Sequence, residues 1–290
     1  MNYSITHKTT YDYGDVVPEC FNIVRLAPRP IADQVCEDHE LTIVPQPTER
    51  TKRTDYFGNQ IEQFSIDAPH STLEVTARTK IKVTARVLPD AASSSAWETL
   101  VVPRDGDEID LISTQLAFDS MHIRSRPEFA RYAKISFTDG RPIVEAATEL
   151  THRINEDFDF DPEATIVSTP VEEVFQKKAG VCQDFAHFQI ACLRSLDLPA
   201  RYVSGYLRTT PPPGKARLVG ADASHAWVGI YCGTEIGWMD FDPTNDVIPA
   251  LDHVTIGWGR DYADVCPIQG VFTGGGKTLM SVSVDVEPEA

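Results

Sequence analysis

Residues 179–188 read AGVCQDFAHF, a cysteine just after a glycine and at the head of an apolar run. Cys182, Phe185, Ala186, Ile190, Leu193 and Leu196 recur at helical spacing along one face, and Pro199 follows soon after. Two readings compete. Cys182 is either a core cysteine that follows a turn, or a nucleophile at a helix N-terminus. There the partial positive charge and free N–H groups of the first turn would meet its sulfur.

Upstream, STPVEEVFQKKAG carries the marks of a capping box, with Thr169 as N-cap, Pro170 at N1 and Glu172 at N3. Gly180 fits the position that closes that helix. GRPIVEAATELTHRI spaces Ile143, Ala147, Leu150 and Ile154 by fours and threes, an amphipathic helix. Downstream, RYVSGYL (201–207) alternates as a strand, and TTPPPGKARLVGADAS (209–224) is a long loop expected to border a cleft. HAWVGIYCGTEIGWMDFDPT (225–244) is two alternating runs around Gly-Thr, and KTLMSVSVDV is a further strand.

The first ninety residues follow another grammar. ELTIV and STLEVTARTKIKVTARV alternate with a period of two, and DYFGNQ supplies a turn between strand-like runs. PDAASSSA (89–96) breaks the composition. The expectation is an α+β chain. An N-terminal β-sandwich-like domain (1–92) precedes a core of helices packed on an antiparallel sheet (93–290), the C-terminal strand counted with the core.

A formal net charge of −17 repels phosphate backbones and anionic lipid, which argues against nucleic acid and membrane surfaces as partners. No basic segment followed by an apolar one opens the chain, so a cytoplasmic location with reduced thiols is expected. The six cysteines (20, 36, 182, 192, 232, 266) show no CxxC pair and no zinc-ligand spacing, and all but Cys182 read as small buried hydrophobes. TGGGKT (273–278) imitates a phosphate loop. Val271 stands where that loop needs glycine, and a strand follows rather than a helix, so it reads as a turn. DFDFDPEATIVS imitates a calcium loop, but Pro162 and Ser168 occupy positions that need glycine and glutamate. It reads as an acidic connector.

A nucleophilic thiol needs a base, and the base needs an orienting acid. If Gly233-Thr234 is a two-residue hairpin loop, facing residues sum to 467 and His225 faces Asp242. Asp240, opposite Trp227 on the same face, is the reserve. The bland alternative makes His225 a structural residue at a strand start and Asp242-Pro243-Thr244 a simple turn. Asp184 reads as a first-turn helix acid and His187 as a packing or hydrogen-bonding residue.

GVCQDFAHF, HAWVGIY and GWMDFDPTN resemble the three signature blocks of the transglutaminase-like superfamily, and LPARYVSGYL between them fits as well. VRLAPRP and DYFGNQ are similar to the β domain that precedes this core in many bacterial members. The resemblance implies a papain-like core with Cys182 as nucleophile, His225 as base and Asp242 as orienting acid. It implies a cysteine enzyme acting on an amide or isopeptide bond of a peptide or protein, as protease, amidase or transglutaminase, with no metal or organic cofactor. Many members carry an acid after HAWV, and here Gly229 stands in its place. A non-catalytic binding or scaffold protein that keeps the fold is the alternative.

Overall fold

The computed structural model describes residues 1–102, 111–209 and 223–289. The expected loop at 209–224 therefore falls almost wholly outside the described residues. Six strands come first: β1 (Asn2–Val17), β2 (Cys20–Val24), β3 (Gln34–Val44), β4 (Glu49–Thr54), β5 (Gln60–Ile66) and β6 (His70–Val83). Next come helices α1 (Leu111–Gln115), α2 (Pro127–Ala133) and α3 (Ile143–Asp157), strand β7 (Asp159–Phe160), helix α4 (Val171–Lys177), strand β8 (Ala179–Gly180) and helix α5 (Cys182–Arg194). The chain then runs through β9 (Ala200–Leu207), β10 (Ala223–Tyr231), β11 (Trp238–Phe241) and β12 (His253–Gly259), a short α6 (Tyr262–Val265), β13 (Ile268–Phe272) and β14 (Leu279–Glu289).

Period-two alternation is visible in β1, where Tyr3, Ile5, His7 and Thr9 point inward between less buried neighbours. Two four-stranded sheets, in orders β14-β1-β6-β3 and β13-β2-β5-β4, share one apolar cluster that includes Tyr13, Leu73 and Val75 from the first and Phe64 and Ile66 from the second. That is the expected sandwich. Its composition corrects the expected division at 92/93. The C-terminal strands pair with N-terminal ones, β14 with β1 from Asn2↔Glu289 to Asp12↔Leu279, and β13 with β2. The alternation of KTLMSVSVDV gives a strand, but nothing local in it names a partner at the opposite end of the sequence.

The core sheet has the order β11-β10-β9-β12. Helix α5 lies against β9 and β10, with α2, α3 and α4 also packed on it. It is buried over nearly all its length, from Gln183 to Arg194. The amphipathic α3 forms where expected, and Ile143, Ala147, Leu150 and Ile154 all join the same core. Gly205 lets β9 and β12 come together here. A Cβ there would lie 2.1 Å from the Val254 carbonyl oxygen and 2.4 Å from the Trp227 ring. Gly205→Ala is expected to cost about 1–3 kcal/mol through overpacking, read from the urea midpoint.

Sandwich and core are joined along the free edge of β12. Gln34 accepts from Thr255 N–H and donates to Thr255 C=O, both at 2.8 Å. Asn59 does the same at Trp258, at 3.0 and 2.9 Å. Two side-chain amides thus stand in for a missing strand and satisfy backbone groups an edge would leave unpaired. Between them, the Arg29 and Arg201 guanidiniums each lie 3.7 Å from the centroid of the Trp258 ring.

Two local expectations fail for identifiable reasons. Thr169 does not cap α4, because its hydroxyl accepts from Ile166 N–H in the preceding turn, and Pro170 is the N-cap. Gly180 does not close that helix, because Lys178 takes the left-handed conformation with φ 54°. Gly180 is required by crowding instead. A Cβ there would lie 2.6 Å from Asp184 Oδ2.

Candidate active site

The head of α5 is built around Asp184. Its Oδ2 accepts from the Val181 N–H at 2.9 Å and from the Thr165 hydroxyl at 2.6 Å, which closes the first turn. Burial pushes this carboxyl upward, against the pull of those two hydrogen bonds. The first-turn acid of the sequence is therefore a structural cap, and Gly180 leaves room for it. Cys182 is the first residue of the helix and half-buried, so its sulfur sits where the helix field is strongest.

His225 lies near the start of β10, and Asp242 lies one residue past the end of β11. The structure brings them together: His225 Nε2 donates to Asp242 Oδ2 at 2.8 Å. The route differs from the expected register. Val228 faces Phe241 and Tyr231 faces Trp238, so facing residues sum to 469, not 467. The loop is four residues, Gly233 to Ile236, closed by the Cys232 N–H donating to the Gly237 carbonyl. Gly233 and Gly237, at φ 93° and 72°, accommodate its bends. A slip of two keeps every side chain on its face, so Asp242 stays on the histidine's side.

Asp242 is fully buried and uses both oxygens. Oδ1 accepts from the backbone N–H groups of Thr244 and Asn245, at 2.9 and 3.3 Å, which makes the turn that an Asp-Pro pair suggests. Oδ2 takes His225, the side-chain amide of Asn245 at 2.7 Å and His253 Nε2 at 3.0 Å. Turn former and imidazole acceptor are one residue. Burial would raise this carboxyl, but His225, His253 and Asn245 together hold it well below the usual range. Burial likewise lowers His225, yet the hydrogen bonds to Asp242 and Cys182 outweigh it and push the imidazole up to about 10. With Nε2 given to Asp242, Nδ1 is the atom left for the sulfur.

This has a pH signature. A histidine raised from 6.5 to about 10 contributes stability that is fully present below pH 6.5 and lost as pH rises through about 10. The depressed Asp242 contributes above its ordinary 3.8, and loses its share as pH falls below that. The gap in urea midpoint between wild type and His225→Gln is expected to be widest near pH 6 and to shrink steadily toward pH 10.

Among the described residues, His225, Asp242 and His253 are the one cluster whose ligand atoms lie together as a metal would need, within 4.8 Å. All three are already joined through a single carboxylate oxygen, so the arrangement reads as a hydrogen-bond cluster. Sequence reasoning missed His253. A histidine that opens a strand carries no signal of its own, and nothing local says that β12 pairs with β9. Asp240, the reserve acid, is engaged elsewhere: Oδ2 accepts from Trp227 Nε1 at 3.2 Å, and Oδ1 lies 3.7 Å from Arg201. Gly229 faces Asp240, and a Cβ there would crowd both Arg201 and Asp240. So where relatives were expected to carry an acid after HAWV, this chain has an acid on the neighbouring strand. His187 is buried and lowered to about 3 by that burial, and it accepts from the Tyr262 N–H at 3.2 Å. Cys192 and Cys232 are fully buried, as expected of core cysteines.

Cys182 and His225 open onto one cleft of about 470 Å³, lined also by Tyr202, Ser204, Tyr262 and Cys266. That size suits a small-molecule or side-chain substrate. Cys36 and Cys266 are only partly buried, a departure from the expected core placement.

Comparison with known proteins places these features in a family. Residues 131–243 match the model of the transglutaminase-like superfamily, and residues 3–82 match the bacterial transglutaminase-like N-terminal region. An uncharacterized protein of Mycobacterium tuberculosis is 39% identical over 290 residues, covering 99% of this chain and 92% of its own. A protein-glutamine gamma-glutamyltransferase of Pseudomonas aeruginosa is 34% identical over 104 residues, 34% of this chain and 15% of that one. A solved structure of a "putative cysteine protease" from Cytophaga hutchinsonii superposes with a TM-score of 0.76 at 22% identity, covering 100% of this chain and 92% of that one, a likeness of fold.

Proposed function

Since the chain belongs to the transglutaminase-like superfamily, we propose that it is a cysteine acyl-transfer enzyme acting on amide or isopeptide bonds, with Cys182 as nucleophile, His225 as base and Asp242 as orienting acid. The observation that supports this most is the placement of His225, between a buried, ionised Asp242 and a sulfur at a helix head that faces an open cleft.

In the first half-reaction the proton shared by sulfur and imidazole rests on His225 Nδ1, as the raised imidazole favours, and the Cys182 sulfur attacks the amide carbonyl carbon. Negative charge gathers on the carbonyl oxygen. The backbone N–H of Cys182, in the unpaired first turn of α5, is the donor placed to receive it, an interaction worth roughly 3 kcal/mol. The C–N bond then breaks, and the leaving nitrogen takes the proton from His225. A thioester remains on Cys182. In the second half, water or a primary amine gives a proton to His225 and attacks that thioester, restoring the thiol. Asp242 keeps the imidazole in one tautomer and stabilises its charged form throughout. His253 and Asn245 hold Asp242 in place.

The test is to incubate the protein with a mixture of amide-bearing peptides, with and without a fluorescent primary amine, and read products by mass spectrometry. Conversion of amide to acid, or to an amine adduct, is the expected result. Neither product across a broad mixture would contradict the reading and favour a binding protein with this fold.

A further inference from the structure

The cleft is not made by the core alone. Part of its lining is one face of the β1–β14 ribbon of the sandwich, in three facing pairs: His7 with Val284, Thr9 with Val282, and Tyr11 with Met280. The ribbon grades along its length. His7 and Val284 are buried, while Val282 and Met280 remain 49% and 62% exposed. β14 is an outer strand of its sheet. Apolar side chains thus stand open along a strand whose face continues into the cleft holding Cys182 and His225.

Charge sharpens the point. The chain carries 43 acidic and 26 basic residues, yet none of the described residues lining this cleft is Asp, Glu, Lys or Arg. The histidine on the ribbon adds no charge either. His7 is lowered to about 4 by burial and is held by Thr9 and Tyr206. A cationic side chain laid on this wall would lose water and find no carboxylate, and an anionic one would find no basic group on the ribbon, the imidazole of His225 being already held by Asp242. An apolar side chain would gain from covering Met280 and Val282, and methionine adapts its shape to what it covers.

We propose that the β1–β14 ribbon is the acyl-donor recognition wall of this site, and that its donor is an extended peptide whose reactive amide is flanked by uncharged, apolar side chains seated on Tyr11, Met280 and Val282. The inference rests on the acyl-transfer reading above. It makes the sandwich part of the substrate site and ties specificity to the last strand of the chain.

The test uses three peptidyl chloromethyl ketones that differ only in their flanks, Leu-Val, Glu-Glu or Lys-Lys. Second-order alkylation rates at Cys182 are read by intact mass, each divided by the iodoacetamide rate of the same protein. The wild type is expected to prefer the apolar probe at least tenfold over both charged ones. Met280→Lys and Val282→Lys, at exposed positions where folding tolerates change, are expected to shrink that preference and to raise the Glu-Glu probe severalfold. Equal rates for the three probes on the wild type, or ratios that neither lysine variant alters, would overturn the wall while leaving the nucleophile intact. Iodoacetamide that fails to select Cys182 would instead strike the acyl-transfer reading, and the wall would fall with it.

Discussion

Cys182→Ala is expected to lose turnover altogether while unfolding within about 1 kcal/mol of the wild type. The two halves of that result have separate causes. Removing a covalent nucleophile costs on the order of a million-fold when base, acid and nucleophile act as a unit. Stability changes little because Cys182 is only half-buried and its sulfur packs at the edge of the core rather than inside it. The helix head is held by Asp184, Val181 and Thr165, none of which the substitution touches. Cys192→Ala supplies the contrast. That residue is fully buried in the core cluster, so its variant is expected to lose stability and retain chemistry. Residual turnover above a few per cent in Cys182→Ala, measured by release of the leaving amine, would mean that another group does the work.

Asp242→Ala is expected to damage both fold and chemistry. Five donors converge on this carboxylate: two imidazoles, one amide and two backbone N–H groups. Alanine leaves them buried without an acceptor, and breaking a buried ionic cluster by removing one partner costs about 3–5 kcal/mol. Asp242→Asn is the more informative variant. Its amide oxygen can still accept the turn N–H groups. The amide nitrogen would then face His225 and His253 donor to donor, so His225 is expected to turn its proton toward the sulfur. Activity is expected to fall by roughly 10³–10⁴ with a smaller loss of stability. Thermal melting and amine release, measured on the same preparations, separate the two effects.

These two residues also show what the sequence could and could not tell. Cys182 was legible because a helix start is a local pattern. A glycine, a cysteine and an apolar stripe at helical spacing fall within one short stretch. His225 and Asp242 were legible as a pair for a subtler reason. The hairpin loop is four residues and displaced from the assumed Gly-Thr centre, so the counted register was off by two. The face was right because strand side chains repeat every two residues. A slip of one would have put Asp242 on the wrong side. The contact also owes something to the turn at Asp242, which carries the carboxylate past the end of β11 toward β10 and β12.

What stayed hidden was non-local. His253 reaches Asp242 only because β12 crosses to pair with β9, and no spacing rule connects positions 242 and 253. The C-terminal strand gave its alternation plainly, but its pairing with β1 depends on the whole intervening fold. Gln34 and Asn59 are polar residues of ordinary appearance. Their role in completing the edge of β12 exists only once sandwich and core have met. Capping at α4 failed at the scale of single hydrogen bonds, since the Thr169 hydroxyl had a nearer partner in the preceding turn.

One measurement bears most directly on the claim that thiol, imidazole and carboxylate form one reactive unit. Wild type and His225→Ala are treated with limiting iodoacetamide at pH 6, and all six cysteines are followed by peptide mapping. The account predicts that Cys182 in the wild type is alkylated far ahead of the partly buried Cys36 and Cys266, and that this lead vanishes in His225→Ala. Labelling of Cys182 at the same slow rate as Cys36 and Cys266, or a lead that survives loss of the imidazole, would contradict it.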